Sequence, residues 1–348
     1  MLLFIFVLAI VGTAIWAFLD RNRPSYNKLF YWLTVVVRYY VGFTMLSYGA
    51  VKVFKLQFPA ADPFRLVQPY GESSPMGLAW TYMGYSEGYN FFTGAAEMLG
   101  GILLLFRRTT TLGAMVTFGV MGNVMAMNYS YDIPVKILSS MLVFMSVFLM
   151  AKDIRRLYHF FIVNKTAAPA NIAQPPIRNR KWRVALVVIK TLLLTYYIGM
   201  GLYDSATSLK KYGDNAPKPP LYGIYNVETF VLNNDTLPPL QTDTLRWKQL
   251  VVGGYRGYTN AYLKSMSDTM RYHAWRLDTT EKKVTLFTWS DTTAKYQLAY
   301  HFPDKEHLEM RGTYKNDSVF IRMATYDLNK FLLKNRGFHW INEYPFNR

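Results

Sequence analysis

The sequence predicts a membrane α-helical bundle of about six transmembrane helices, followed by a C-terminal antiparallel β domain closing as a barrel or a sandwich. Three observations carry that expectation. Six apolar runs approach the length of about 20 residues that crosses hydrocarbon as a helix. Lysine and arginine collect in alternate loops between those runs. After Tyr203 the long apolar runs give way to short alternating segments divided by Asn-, Asp- and Ser-containing turns.

The runs lie at about 2–19, 29–50, 91–106, 111–129, 134–151 and 184–203, and the third and fifth are short. The first has the length of a signal peptide. It lacks a basic segment before it, and its positive charges, Arg21 and Arg23, come after it, so it reads as a membrane anchor with an outer N-terminus. Arg21, Arg23 and Lys28 follow the first run, and Arg107 and Arg108 follow the third. The fifth is followed by Lys152, Arg155, Arg156, Lys165, Arg178, Arg180 and Lys181. The alternate loops are poorer, with Lys52, Lys55 and Arg65 in one and Lys136 in the other. By the positive-inside rule the richer set is cytoplasmic. Both termini and everything after Tyr203 are then on the outer side of the membrane.

The expected organisation is a first helix and cytoplasmic turn over 1–28, and a four-helix unit over 29–151 with an outer loop at 51–90. A cytoplasmic linker over 152–183, a helix over 184–203 and an outer β domain over 204–348 follow. The linker carries Ala167-Ala168-Pro169-Ala170 and Pro175-Pro176. The outer loop is long for a hairpin and rich in Pro, Gly and aromatics, which suggests an ordered, functional or capping segment. Seven strands are expected, at 226–232, 244–252, 271–277, 284–289, 295–302, 307–314 and 318–326. Ser290-Asp291-Thr292 and Lys315-Asn316-Asp317 are among the turns between them. The spacing fits an antiparallel meander.

Composition narrows the function classes. The apolar content of 51% averages two different halves, and the +17 net charge sits largely at the ends of apolar runs. Topology uses such charges, and no nucleic-acid reader motif accompanies them, so nucleic acid is not an expected partner. With no cysteine, disulfides, thiolate metal sites and thiol chemistry are excluded for this chain. The five histidines (His159, His273, His301, His307, His339) lack metal-ligand spacing; His301 and His307 flank a turn and read as a solvated strand end. No Walker loop, dinucleotide fingerprint, nucleophile elbow or haem motif is present. Enzyme activity stays unassigned.

Polar residues inside apolar runs cost at least a few kcal/mol each and call for a reason. Arg38 lies near the middle of the second run, with Gly42, Met45, Gly49 and Lys52 on the same helical face. Gly94, Glu97 and Gly101 form a stripe in the third run. Asn123 and Asn128 lie towards the outer end of the fourth, and Asp132, Pro134 and Lys136 open the fifth. One reading is a polar cavity open to the outside, built from Arg38, Lys52, Glu97, Asn123, Asn128, Asp132 and Lys136. There Glu97 carries a proton or accepts from a ligand, and Lys52 or Lys136 binds an anionic or carbonyl oxygen. The other is structural: Arg38 and Glu97 pair to fix helix register, the asparagines bridge helices, and Lys52, Asp132 and Lys136 reach the interface. The glycines read as helix-packing positions. Tyr70, Trp80, Tyr82, Tyr85, Tyr89, Phe91 and Phe92 read as an interfacial belt rather than a stacking site for a quinone. The aromatic and basic tail 336–348 is expected to dock back on the protein.

Residues 29–151 resemble the DoxX-like family of bacterial membrane proteins. The resemblance rests on Arg38 followed by Gly42, on Gly49 with Lys52, and on Glu97 followed by Gly100-Gly101 and an apolar run that ends at Arg107-Arg108. It covers about a third of the chain. The long outer loop, added helix and β domain look like an elaborated Bacteroidetes-type form. The resemblance implies a four-helix core and a possible quinone-linked role on the face of Arg38 and Glu97. The absence of cysteine and of haem or iron–sulfur ligands means that another subunit would have to supply any redox centre.

Three functions remain open at this point. The first is an accessory or structural subunit of an envelope complex, with membrane lipids around the bundle and a protein partner on the β domain. The second is a quinone- or lipid-binding component of an oxidoreductase. The third is a small-solute transporter, which the one-sided polar residues and the lack of a clear internal repeat disfavour.

Overall fold

The computed structural model of the protein describes residues 2–166, 179–255, 258–288, 291–314 and 316–347. The Ala- and Pro-containing centre of the expected linker lies outside them. So do Trp289, Ser290 and Lys315 from an expected strand end and two expected turns. The chain divides into two compact units, one of residues 1–48, 96–126 and 135–197, the other of residues 49–95, 127–134 and 198–348.

Ten α-helices run in chain order among the described residues: α1 Leu2–Leu19, α2 Asn27–Val53, α3 Pro63–Val67, α4 Pro75–Tyr85 and α5 Glu87–Leu105, then α6 Thr110–Ser130, α7 Lys136–Ala151, α8 Ile154–Phe161, α9 Arg180–Tyr212 and α10 Leu332–Asn335. Three of these, α2, α6 and α9, are long and apolar enough to cross a membrane. A fourth is reached if α7 and α8, bent by 81° at their break, count as one span. The other two expected spans exist as helices but fall short by this measure. The apolar stretch of α1 is Leu3–Leu19, and α5 is diluted by Glu87, Asn90, Thr93 and Glu97. Helix α9 runs nine residues beyond the expected end at 203, because Asp204–Tyr212 holds no helix breaker and ends on Lys210 and Lys211, which suit a helix C-terminus.

The expected outer loop is ordered by its own sequence. Asp62 caps α3 by accepting from the Arg65 backbone N–H at 3.0 Å, and Ser74 caps α4 by accepting from the Gly77 N–H at 3.0 Å. Pro63 and Pro75 occupy the first helical positions, where the missing N–H costs nothing. The packing role of the glycines is visible within each unit. A Cβ on Gly101 would stand 2.8 Å from the Gly42 carbonyl oxygen, and one on Gly94 would stand 2.7 Å from that of Gly49.

The β domain is a closed eight-stranded antiparallel barrel. Its strands are β1 Gly223–Leu232, β3 Trp247–Tyr255, β4 Tyr258–Ser265, β5 Met270–Asp278, β6 Lys283–Thr288, β7 Asp291–His301, β8 His307–Tyr314 and β9 Asp317–Tyr326; the two-residue β2 Asp235–Thr236 extends β1 at its edge. Each strand pairs with the next, and β1 closes on β9 from Ile224↔Tyr326 to Leu232↔Val319. That closure decides the barrel over the sandwich and removes the free edges. Strand β4 was not among the seven expected. Its inward residues are only Ala261 and Leu263, and Gly253-Gly254 before it suggest a turn.

Side chains fill the barrel. Tyr225, Phe230, Trp247, Leu250, Leu286, Leu298, Leu308 and Met310 form its core, as expected for eight strands. Trp247 Nε1 donates to the Tyr296 hydroxyl at 3.2 Å. Burial pushes the Tyr225 and Tyr296 phenols up to about 12. Arg246 is buried beside this core, and its guanidinium donates to the carbonyl oxygens of Leu237, Trp247 and Glu228, each at 3.1 Å.

Candidate functional site

The first unit contains a cavity of about 740 Å³ lined by α2, the turn between α5 and α6, and the bend between α7 and α8. Helix α2 brings Asn27, Tyr31 and Arg38, the tight turn brings Arg107, Arg108 and Thr110, and the bend brings Lys152, Asp153 and Arg156. Five cations therefore face one carboxylate.

Local contacts hold this arrangement. Asp153 is buried, accepts from Arg156 Nη1 at 2.7 Å, and also accepts from the Thr111 hydroxyl, which ties the bend to the start of α6. Burial alone would raise the Asp153 pKa; the hydrogen bonds from Thr111 and Arg156 and the nearby Lys152 charge outweigh it and hold the carboxyl below its ordinary value. Arg107 lies over the Tyr31 ring at 5.3 Å and donates to its hydroxyl. Arg38 is only 5% exposed. Its Nη1 donates to Thr110 Oγ1 at the long distance of 3.5 Å, and its guanidinium lies 4.8 Å from the Tyr39 ring centroid. Its Nε has no hydrogen-bond partner among the described residues.

Of the seven residues singled out from sequence, Arg38, Lys52, Glu97 and Asn128 are buried, Lys136 is half-buried, and Asn123 and Asp132 are exposed. Arg38, Glu97, Asn123 and Lys136 belong to the first unit and Lys52, Asn128 and Asp132 to the second. Only Arg38 lines the basic cavity. The described contacts of Arg38 are with Thr110 and Tyr39; Glu97, Lys52, Asn128, Asp132 and Lys136 each have interactions of their own.

One cation within a span-length apolar helix escaped the sequence reading. Lys190 in α9 donates to the Leu105 carbonyl at 3.0 Å, at the C-terminus of α5, and lies 5.6 Å from the Tyr39 ring. Its place in the sixth apolar run was a signal. A helix C-terminus is where a cation is stabilised, and Tyr39 meets both Lys190 and Arg38.

In the second unit a polar cavity of about 620 Å³ is lined by residues that include Arg246, Lys264, Arg271, His273 and Tyr296. His307 Nδ1 lies 2.9 Å from Asp304, and its Nε2 lies 3.7 Å from Glu228. Among the described residues no three His, Asp or Glu side chains are placed to hold a metal. In the tail, the Gly337 carbonyl accepts a hydrogen bond from the Tyr85 hydroxyl at 3.2 Å. Beyond it Phe338, Trp340 and Ile341 are 79%, 91% and 85% exposed.

Fold and site together define a protein of apolar, span-length helices enclosing a cationic cavity, joined in one chain to a filled β-barrel. The chain is 35% identical over 141 residues to the uncharacterized protein YwoB of Bacillus subtilis (strain 168), covering 40% of this chain and 88% of YwoB. Over that part it belongs to the YwoB family. No family model matches the chain. No solved structure matches it either.

Proposed function

We propose that the protein is an accessory or structural subunit of an envelope complex, seated in the bacterial inner membrane by a DoxX-like bundle of about six spans. In this reading α1 and α5 complete the count of spans, the basic loops are cytoplasmic, and the barrel meets a protein partner in the periplasm. The carrying observation is the tail after the barrel. Phe338, Trp340 and Ile341 stand almost fully exposed beside a barrel whose core is already complete. Tryptophan and its apolar neighbours, presented together, are what protein interfaces bury at their centres. A photo-reactive residue in place of Trp340, irradiated in native membranes, should give one discrete protein adduct. That adduct should disappear when Phe338 and Ile341 are also changed to Ser. Adducts to lipid alone, or none above background, would remove the partner from this reading.

A second reading, a quinone- or lipid-binding component of an oxidoreductase, is supported by the buried Arg38 at its cavity and the buried Glu97 in the same unit. It predicts a retained isoprenoid or lipid in native mass spectrometry of gently extracted protein.

A further inference from the structure

We infer that the cavity among Arg38, Arg107, Arg108, Lys152 and Arg156 binds the phosphate of an anionic phospholipid headgroup; this rests on the membrane reading above. The argument begins with Arg38. Basic residues that only set topology need water or headgroups around them and gain nothing from burial. Arg38 is instead 5% exposed, with one long hydrogen bond, a ring beneath it and an Nε that no group of the described protein meets. A guanidinium in that state lacks an anion. The protein does not provide one at the cavity: Asp153, the one carboxylate in its lining, is already held by Thr111 and Arg156.

Arg108 and Lys152, exposed at the same cavity, add positive charge beside Arg38, and like charges around one cavity repel unless an anion lies between them. A phosphate diester fits this set, since guanidinium forks bind phosphate oxygens in pairs. The cavity volume suits a headgroup.

The margin of the cavity selects the lipid over a soluble phosphate. Phe30, Leu112 and Phe160 line it and are 45%, 53% and 60% exposed, a wall that suits acyl chains. The 81° bend turns α8 away from the direction of α7. Helix α8 carries Arg155, Arg156 and His159 among Ile154, Leu157, Phe160 and Phe161, the composition of a helix lying in a membrane interface.

The test uses the full chain in nanodiscs of phosphatidylcholine doped with phosphatidylglycerol, read by native mass spectrometry after release. Wild-type protein should retain phosphatidylglycerol. Retention should fall about tenfold in Arg38→Met and in the exposed-rim double variant Arg108→Ala/Lys152→Ala, as expected for losing charge-assisted contacts to phosphate. Lys210→Ala/Lys211→Ala, with the same charge change at the end of α9, should retain it as wild type does. Should Arg38→Met fail to fold, the rim variant decides. Retention unaffected by the cavity variants, or lost equally in the Lys210/Lys211 control, would overturn the site. Displacement of the lipid by millimolar inorganic phosphate would assign the cavity to a soluble phosphate instead and overturn the lipid assignment. Failure of the folded chain to enter nanodiscs at all would overturn the membrane reading, and this inference with it.

Discussion

Arg246 and Arg38 are buried to nearly the same degree, at 4% and 5% exposure, in two very different regions of the molecule. In the barrel unit, the Arg246 guanidinium is spent on three backbone carbonyls, so a charge that burial disfavours becomes a clasp between β1, β3 and the segment that joins them. Burial still lowers its pKa, with Asp243 acting in the opposite sense. In the helical unit, Arg38 has one long contact to Thr110 and the face of Tyr39. Equal burial therefore does not mean equal role. A buried guanidinium with an acceptor at each of its three nitrogens holds structure, and one with an idle nitrogen is held ready for something else.

The largest consequence falls on the barrel. Arg246→Met keeps much of the volume but removes the donor from one buried and two part-buried carbonyl oxygens, which should cost about 3 kcal/mol of barrel stability. Chemical denaturation followed by Trp247 fluorescence would measure it. A loss near zero would mean that those carbonyls find water or other donors, and that Arg246 is no clasp.

Next comes the close packing of the helices, where backbone proximity replaces side-chain satisfaction. Gly101→Val would press a side chain against the Gly42 carbonyl and Leu46, at 2.8 Å and 3.0 Å already for a Cβ, and should destabilise the helical unit by about 2 kcal/mol. Gly119→Val, on a helix position with nothing within 4 Å of its would-be Cβ, is the matched control. Thermal melts in detergent should separate the two variants, and equal melting temperatures would refute close packing as the reason for Gly101.

These contrasts also show what could be read in advance. Apolar runs, charged loop ends and strand alternation all depend on local sequence, so the helices of the six apolar runs and seven of the eight barrel strands were legible, while α3, α4, α8 and α10 were not. Strand β4 was not, because Ala261 and Leu263 are the buried residues on its inward face and Gly253-Gly254 before it suggest a turn, although it pairs with its sequence neighbours β3 and β5. Arg38 was recognisable as an anomaly in an apolar run. Its surroundings were not, since Thr110, Arg107 and Arg156 reach the cavity from elements distant in sequence. Lys190 was legible by the same rule as Arg38. Its partner, the Leu105 carbonyl, is a helix end and leaves no mark in the sequence.

A smaller effect is expected from pH. Burial lowers the pKa of His273 below its ordinary value of 6.5, partly opposed by its bond to the Arg271 carbonyl. Above 6.5 the ring is neutral folded and unfolded, and contributes no slope. As pH falls through 6.5 the unfolded chain takes up a proton that the folded barrel refuses, so stability declines until the folded pKa is reached. Asp268, lowered by Lys248 and Lys264, adds its own loss only at more acidic pH. His273→Gln should flatten the slope just below pH 6.5 and leave the acidic one. An unchanged slope would place the proton uptake elsewhere.

The smallest expected effect discriminates best between the two arginines. Arg38→Met removes a buried charge that holds little of the protein in place, and methionine adapts to the space beside Tyr39. In detergent free of phospholipid its stability should stay within about 1 kcal/mol of wild type. A loss as large as that of Arg246→Met would make Arg38 a second clasp and erase the distinction. With phosphatidylglycerol added, the wild-type chain should gain stability with lipid concentration, because a ligand that binds the folded state alone draws the equilibrium towards it. The Arg38→Met chain should gain much less, so the two melting curves should nearly coincide without lipid and separate as lipid is titrated in.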